Sequence, residues 1–326
     1  MVAQHAKAAT VLIGLESTYG TEVSCTDDLG LIQSFTPTDK RNHIKVAGAG
    51  SRQVQDIVAG ISENDFDMTV FLQHGRPLQY LLGTLTHAQT SSDWKHTITA
   101  VASTVPSFSM EYSFNGSTDY VFQYAGCKLN QGTISLEKDG ILTCNMSGKA
   151  KTVDTSASSA AAAVISTLPT LHYKHTTVSV GAAASESSVG KVQGFNINFN
   201  NNPVMVDAAG SILHQEQVEG LFEPTFDFTM IFENLVEYQR FLGTTSSQAP
   251  VTSPTPYSII FNAHNGVTLG SGRREFYAQL NDFQYEEVGS PLQVNEVVIQ
   301  SFKGNAESFG SNGVFFVDNI SSTNFD

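Results

Sequence analysis

The sequence is poor in residues that support several common functions. Its 326 residues include three cysteines, and charged residues make up only 15% of the chain. Because Cys25, Cys127 and Cys144 are odd in number and lack a CxxC spacing, they indicate neither a disulfide framework nor a zinc site, and we expect all three to be reduced. The 17 basic residues stand against 31 acidic ones, giving a formal net charge of −14. So few cations disfavour sequence-independent binding to a nucleic acid backbone.

Long apolar runs are also missing. No segment approaches the roughly 20 apolar residues that a membrane-spanning helix needs. The stretch Ala8–Leu15 is at the lower limit for the apolar part of a signal peptide and lacks a convincing cleavage site. We therefore expect no membrane partner and no export signal.

Motifs of catalysis and cofactor binding are absent as well. The chain contains no nucleophile elbow, no GxGxxG pattern after a strand and no P-loop. His172 and His175 form the only close histidine pair, but their spacing fits no common zinc motif, and no cysteine or carboxylate lies beside them. The sequence therefore predicts no enzyme, no metal site and no cofactor.

What the chain does contain is an internal repeat. A shift of 160 places Ile32–Thr84 on Val192–Thr244 without a gap, and 18 of the 53 aligned pairs are identical. The matches include Phe35 with Phe195, and Phe66, Asp67 and Thr69 with Phe226, Asp227 and Thr229. This self-similarity predicts two related domains formed by duplication.

The second halves of the two copies match less well. There the shift falls to about 153, which places Ser147–Lys149 near Ser301–Lys303 and predicts a longer loop after Thr84 in copy one. The predicted organisation, given by residue ranges, is an N-terminal arm at 1–27, a first domain at 28–153, a linker or ordered arm at 154–186, a second domain at 187–310 and a C-terminal tail at 311–326.

Alternating residues predict a strand at the same place in each copy. Phe66, Met68 and Val70 alternate with Asp67 and Thr69, which indicates one buried face and one polar face. In copy two the same alternation predicts one buried face formed by these residues: Phe226, Phe228, Met230, Phe232. Asp227 and Thr229 lie on the other, polar face. The residues predicted to form the equivalent cores of the two copies are Phe35, Phe66, Leu82, Phe195, Phe226 and Leu242.

A short helix is predicted after this strand in each copy. Arg76–Leu82 has Pro77 in its first turn and is followed by Gly83, and Val236–Leu242 is followed by Gly243. The fold class is therefore mainly β, with two duplicated β-sandwich or barrel domains and one short α-helix in each.

Asp67 and Asp227 could suggest a catalytic pair of carboxylates. Catalysis by two carboxylates needs different environments that separate their pKa values, whereas repeated residues would share one environment. Their equivalence favours a structural or surface role.

The order of several short segments resembles a known family. The run from Ile13 to Thr21, His96-Thr97-Ile98, the segment from Pro106 to Phe108, and the run from Ala125 to Leu129 are similar to the two-domain tail tube proteins of siphovirus-like phages and archaeal tailed viruses. None of these segments carries chemistry, and the resemblance covers nearly the whole chain. It implies tail-tube-type domains arranged in rings, and the rings stack into a hollow tube that delivers the viral genome.

The resemblance also implies partners and a location. A fused pair of domains needs three chains for a ring with pseudo-sixfold symmetry, so the main partner is the chain itself as a homotrimer. Further partners would be the tape measure, terminator and baseplate proteins, together with viral DNA that passes through without specific binding. The protein would be assembled in the host cytoplasm and located in the virion tail.

Within such a tube we expect the polar positions Asp67, Thr69, Asp227 and Thr229 to line the lumen, where acidic side chains would repel DNA phosphates. The alternative is that they lie on another solvated face. The segments Asp39–Ser51 and Asn200–Ser211 are candidates for loops that reach the next ring, or for ordinary hairpins. The candidate residues for these contacts are Arg41, Asn42, Asn201 and Asn202.

Two other functions remain open from the sequence. A baseplate, distal-tail or terminator protein can use the same domain but caps a tube instead of repeating along it. A carbohydrate-binding adhesive β module normally exposes aromatic side chains, whereas the aromatics of this chain mostly alternate as buried residues do.

Overall fold

The computed structural model describes residues 9–90, 93–101, 103–114, 119–157, 167–269, 272–291 and 297–318. The fold is mainly β with two short helices, as the sequence predicts. The strands, numbered along the chain, are β1 (Ala9–Leu15), β2 (Leu31–Val46), β3 (Asp56–Phe71), β4 (Gly83–Thr90), β5 (Asp93–Ala100), β6 (Phe108–Phe114), β7 (Tyr120–Glu137), β8 (Thr143–Ala150), β9 (Thr152–Asp154), β10 (Thr176–Gly181), β11 (Ser187–Ser188), β12 (Val192–Asn200), β13 (Val204–Val206), β14 (Glu216–Val218), β15 (Glu223–Ile231), β16 (Tyr257–Leu269), β17 (Gly272–Gly289), β18 (Ile299–Asn305) and β19 (Ser308–Asp318). The helices are α1 (Arg76–Leu82) and α2 (Val236–Leu242).

One antiparallel sheet, which we call the shared sheet, contains strands from both copies. Its order is β2-β3-β8-β7-β12-β15-β18-β17, with the first four strands from copy one and the last four from copy two. Two further sheets pack on it. These cover sheets contain β1-β6-β7-β9 in copy one and β10-β16-β17-β19 in copy two. Each copy is therefore a two-layered sandwich.

The strands β7 and β17 each belong to two sheets. Their first halves pair within the cover sheets, and their second halves pair within the shared sheet. The backbone has positive φ at Gly126 in β7 and at Asp282 in β17, just before the transition. A strand that bends at such a point can turn the corner between two packed layers.

The core is formed where the layers meet. Phe66 and Phe226, predicted as equivalent, are both nearly fully buried, as are Phe195 and Leu82. Phe35 is only partly buried and packs against Tyr112, with ring centroids 5.0 Å apart. The sixth predicted core residue, Leu242 of α2, is also partly exposed.

The second halves of the copies align differently from the sequence expectation. Asp67 lies opposite Ser147 in the sheet, and Asp227 lies opposite Lys303, so the structural shift here is 156 and not about 153. The sequence alignment was wrong because few side chains in these strands are identical. The hydrogen-bond register, which carries the equivalence, is not visible in the sequence.

This register makes Gly148 and Gly304 equivalent, and each lies against the repeated core phenylalanine of its own copy. A Cβ atom at Gly148 would lie 2.4 Å from Cζ of Phe66, and one at Gly304 would lie 2.6 Å from Cζ of Phe226. The repeated phenylalanine therefore requires a repeated glycine on the neighbouring strand, 82 residues later in copy one.

The predicted helices are found at the expected residues. Pro77 lies in the first turn of α1, and Gly83 and Gly243 follow the two helices with φ of 104° and 135°. Such φ values favour glycine and end a helix.

The ends of the copies differ from the predicted boundaries. In place of an N-terminal arm, β1 pairs with β6 along its whole length. In place of a linker up to residue 186, β10 pairs with β16 from Thr176 onwards. The described part of the predicted tail continues β19, which pairs with β5 of copy one. The arm and tail residues 1–8 and 319–326 lie outside the described residues.

Substitution of Gly148 or Gly304 by alanine is expected to destabilise the fold by about 1–3 kcal/mol, because the added methyl group overpacks a ring that cannot move. Urea unfolding followed by tyrosine fluorescence would measure the change. Gly48→Ala is a matched control, since its Cβ would meet only the end of the exposed Gln55 side chain. Equal stability of all three variants would contradict the prediction.

Candidate assembly surfaces

The two copies are joined by a β-sheet seam. β7 of copy one pairs with β12 of copy two from Gln131 opposite Asn200 to Glu137 opposite Gly194. Side chains reinforce the seam on its polar face. Thr133 Oγ1 donates to Asn198 Oδ1 at 2.8 Å, and Asn198 Nδ2 donates to Thr225 Oγ1 at 3.3 Å. Backbone and side-chain hydrogen bonds therefore continue across the boundary between the copies.

One face of the shared sheet is polar along all eight strands. Asp67 is exposed on this face, and Thr69, Asp227 and Thr229 are partly exposed on it. The four residues predicted from the repeat are thus brought to one continuous surface. Thr69 Oγ1 donates to Asn145 Oδ1 at 2.7 Å.

Lysines on this face are paired with carboxylates. Lys40 and Lys149 lie 3.0 Å and 2.6 Å from the two oxygens of Asp65, and Lys303 lies 3.1 Å from Glu287. Burial favours the neutral form of Asp65, but hydrogen bonds from Lys149 and Lys40 outweigh it and hold the pKa of Asp65 below its usual value. Each of these three cations is therefore paired with a carboxylate, although Lys40 and Lys149 share one, and Asp67 and Asp227 add negative charge to the surface.

A hairpin of copy two packs on copy one beside the seam. We call residues 200–222, which contain β13 and β14, the copy-two hairpin. Lys128 Nζ of copy one donates to Gln217 O at 2.9 Å and lies 2.7 Å from Glu219 Oε1. Gln217 Nε2 donates to Asn130 Oδ1 at 2.8 Å. The lysine is almost completely buried, so this is a desolvated ion pair.

The four candidate residues for contacts with the next ring have different environments. The side chain of Asn201 is buried at the seam, where it donates to the carbonyl oxygens of Leu81 and Leu129. Asn202 is exposed and donates to Leu221 O. Arg41 and Asn42 are exposed. The sequence therefore grouped one residue of the seam with three exposed ones.

Arg41 and Asn42 belong to the copy-one hairpin, residues 40–62, formed by the far ends of β2 and β3. It is equivalent to the copy-two hairpin, because Gly60 lies against the carbonyl oxygen of Asn42 as Gly220 lies against that of Asn202. Ser62 N donates to Ile212 O at 2.8 Å, so the two hairpins touch. Most of the copy-one hairpin is nevertheless exposed.

The shared sheet has an open edge at each end. Within the described residues, β2 pairs only with β3, and the second half of β17 pairs in this sheet only with β18. These strands are the equivalents of β12 and β7, which pair with each other at the seam. The chain therefore presents both halves of a second seam, one at each end.

Apolar side chains are exposed beside the open edge of β17. Tyr238 of α2 is 38% exposed, whereas its equivalent in α1, Leu78, is fully buried. Phe232 is 39% exposed, against 1% for Leu72. In copy one the corresponding region is covered by β4 and β5 and by the seam. Within the residues that the structure describes, copy two has no counterpart of β4, β5 or the seam.

In the part of the chain that the structure describes, no group of three or more histidine, cysteine or acidic residues is arranged to hold a metal ion. His175 stacks on His264 with ring centroids 4.8 Å apart, and His172 lies next to it at 5.2 Å. No helix among the described residues is both long and apolar enough to cross a membrane.

Sequence reasoning missed the seam and the docking of the copy-two hairpin. The sequence did contain a signal for the ion pair between Lys128 and Glu219. Lys128 is a single cation in an otherwise apolar strand segment, and Glu219 of copy two stands where copy one has Ala59. The pairing of β7 with β12 had no such signal.

Lys128→Met is expected to destabilise the protein by about 3 kcal/mol, because it leaves Glu219 without its partner in a largely buried position. Thermal and urea unfolding would measure the loss. The double variant Lys128→Met with Glu219→Gln should recover part of it, since no uncompensated carboxylate remains. Lys191→Met is the control, because Lys191 pairs with Glu233 in an exposed position and should matter little. A Lys128 variant as stable as that control would contradict the prediction.

The family model described as Phage tail tube protein matches residues 6–306. No curated protein matches the chain.

Proposed function

Since the chain belongs to the phage tail tube protein family, we propose that three chains form a ring by pairing β17 of each chain with β2 of the next. Membership of the family implies a structural protein of the virion tail that self-assembles into a tube together with other tail proteins. The rings stack into this tube, and viral DNA leaves through its lumen.

The observation that carries the proposal is the seam inside the chain. Copy one joins copy two through β7 and β12, and the open edges of β17 and β2 are the equivalents of these strands. If each chain joins the next in the way that its own two copies are joined, the interface is head-to-tail. With a rotation of 60° from each copy to the next, six copies from three chains close into a ring. Closure also removes both open edges, which would otherwise promote aggregation.

The register of the internal seam predicts the register between chains. Gln131 lies opposite Asn200 at the seam, and their equivalents are Glu287 and Lys40. The same geometry would place an acidic residue of one chain opposite a basic residue of the next. The apolar side chains exposed on α2, such as Tyr238, would be covered by the same contact.

The polar face of the shared sheet is the lumen in this arrangement. The cover sheets occupy the other face of the shared sheet in both copies, so this face is the one that a closed sheet turns towards its axis. Its lysines are paired with carboxylates, and Asp67 and Asp227 repel phosphate groups over about a Debye length, roughly 10 Å. DNA can then pass without binding.

Stacking would use the outer faces of the hairpins. Both hairpins expose apolar side chains at the same three equivalent positions, namely Ile44, Val46 and Val58 in copy one and Val204, Val206 and Val218 in copy two. A ring of three chains would present six similar patches, which suits contacts that repeat with sixfold symmetry. Terminator, tape measure and baseplate proteins are the further partners of such a tube, and a structural role of this kind needs no catalysis.

Purified protein should form hollow tubes of repeating rings in negative-stain electron microscopy. Single rings that never stack would favour a terminator or baseplate role, and a monomer under all conditions would contradict the ring.

The lumen can be tested with an engineered thiol. Burial raises the pKa of Cys25 and Cys144 to about 12 and that of Cys127 well above its usual value, so the native thiols should not react at neutral pH. Asp67→Cys should react with a polymer-bearing maleimide before assembly and lose this reactivity in tubes. Thr177→Cys is the control and should react in both states, because Thr177 is exposed on the face of the cover sheet that points away from the core. Equal labelling of both variants in tubes would place Asp67 outside the lumen.

Stacking can be separated from ring formation. Ile44→Asp combined with Val204→Asp should leave rings intact and abolish tubes, because each ring would then meet the next with charged patches. Val267→Asp combined with Val297→Asp makes the same change at two exposed valines outside the hairpins and should leave tubes unaffected. Tubes of normal length from the hairpin variant would exclude these patches from stacking.

A further inference from the structure

The two hairpins have opposite charge. The copy-one hairpin carries Lys40, Arg41, Lys45 and Arg52, with Asp56 as its single acidic residue. The copy-two hairpin carries Asp207, Glu216 and Glu219 and no lysine or arginine. The duplication has therefore kept the shape of the hairpin while reversing its charge.

The surfaces on which the hairpins can pack also differ in charge between the copies: the surface is basic in copy one and acidic in copy two. The copy-two hairpin packs on Lys128, which has two further lysines beside it. Lys149 lies opposite Lys128 in the sheet, and Lys151 lies over the same Tyr19 ring as Lys128. At the equivalent positions of copy two these lysines are replaced by Gln284, Asn305 and Glu307, and Gly126 and Asn130 are replaced by Asp282 and Glu286. The five copy-two residues line a cavity of about 370 Å³ at the open edge of β17, which we call the acidic cavity.

We propose that the acidic cavity is the docking site for the copy-one hairpin of a second copy of this chain. The inference rests on the proposed ring, which it deepens by naming the contact that selects the neighbour. The occupied counterpart of the site is present inside the chain, where an acidic hairpin packs on a lysine-rich surface. At the joint between chains, a basic hairpin meets an acidic surface.

The equivalence of the two sites predicts individual pairs. In the copy-two hairpin Met205 lies opposite Gln217, which contacts Asn130. The equivalent residues in the copy-one hairpin are Lys45 and Ile57, which also lie opposite each other. Asn130 corresponds to Glu286, so Lys45 of one chain docks next to Glu286 of the other.

The same charges disfavour the wrong pairings. A copy-one hairpin placed on the lysine-rich surface would bring like charges together, and so would a copy-two hairpin placed in the acidic cavity. Juxtaposed like charges exclude an incorrect partner more effectively than opposite charges strengthen a correct one. The charge reversal therefore forces the copies to alternate around the ring.

A charge exchange tests the proposal with the full-length chain. Lys45→Glu and Glu286→Lys, each alone, should raise the protein concentration needed for ring formation by roughly tenfold, because each places like charges at the joint. The double variant should restore assembly to the level of the unaltered chain. Light scattering and negative-stain microscopy would follow assembly, and thermal unfolding would verify that the monomers remain folded.

Lys174→Glu is the matched control, since it makes the same change at an exposed lysine outside the joint, and it should assemble as the unaltered chain does. Normal rings from both single variants, or no recovery in the double variant, would overturn the inference while leaving the ring itself intact. Single variants that form normal rings but fail to stack would place the hairpin between rings and would also overturn it. Absence of rings from the unaltered chain would instead contradict the proposed function.

Discussion

The rest of the structure depends on the antiparallel pairing of β7 with β12. This pairing makes one sheet from two copies, aligns their polar faces and brings the copy-two hairpin onto Lys128. Because the backbone hydrogen bonds of a sheet are independent of side-chain identity, the same joint can be made by equivalent strands whose sequences have diverged. The chain is in this sense a partial assembly in which the first interface is already formed.

Duplication imposed different constraints on the two sides of the shared sheet. On the buried side, Phe66 with Gly148 and Phe226 with Gly304 have been kept as pairs, because a change in either partner would create a clash or a void. On the exposed side of the hairpins, side chains were free to change charge. Packing therefore preserved the common fold, while electrostatics distinguished the two copies from each other.

Much of the fold could be predicted from the sequence, and the reasons are local. Alternation through Phe66, Met68 and Val70 specifies a strand, and Gly83 specifies the end of a helix, so both lie where the residues indicate. Pairing between distant strands has no local signature. The pairing of β1 with β6 and of β19 with β5, and the register that equates Gly148 with Gly304, were for that reason not foreseen.

The candidate surfaces were predictable to a similar extent. The period of two placed Asp67 and Thr229 on a common face without any knowledge of the sheet order. Asn201 was misjudged because polarity and glycine neighbours suggest a free loop, whereas its amide satisfies two carbonyl groups at the seam. An asparagine in a hairpin and one in a buried joint have the same appearance in a sequence.

The strands β4 and β5 distinguish the joint inside the chain from the proposed joint between chains in their mechanical properties. They extend from copy one, and β5 pairs with β19, so they join copy one to the cover sheet of copy two across the internal seam. Among the described residues, copy two has no equivalent strands that could join it to the next chain. In a ring of three chains, joints held by strand pairing in two sheets would thus alternate with joints held by the shared sheet alone. Bending and twisting would concentrate at the three joints between chains, where only the shared sheet is continuous. A tube built in this way would have stiff segments separated by three flexible seams along its length.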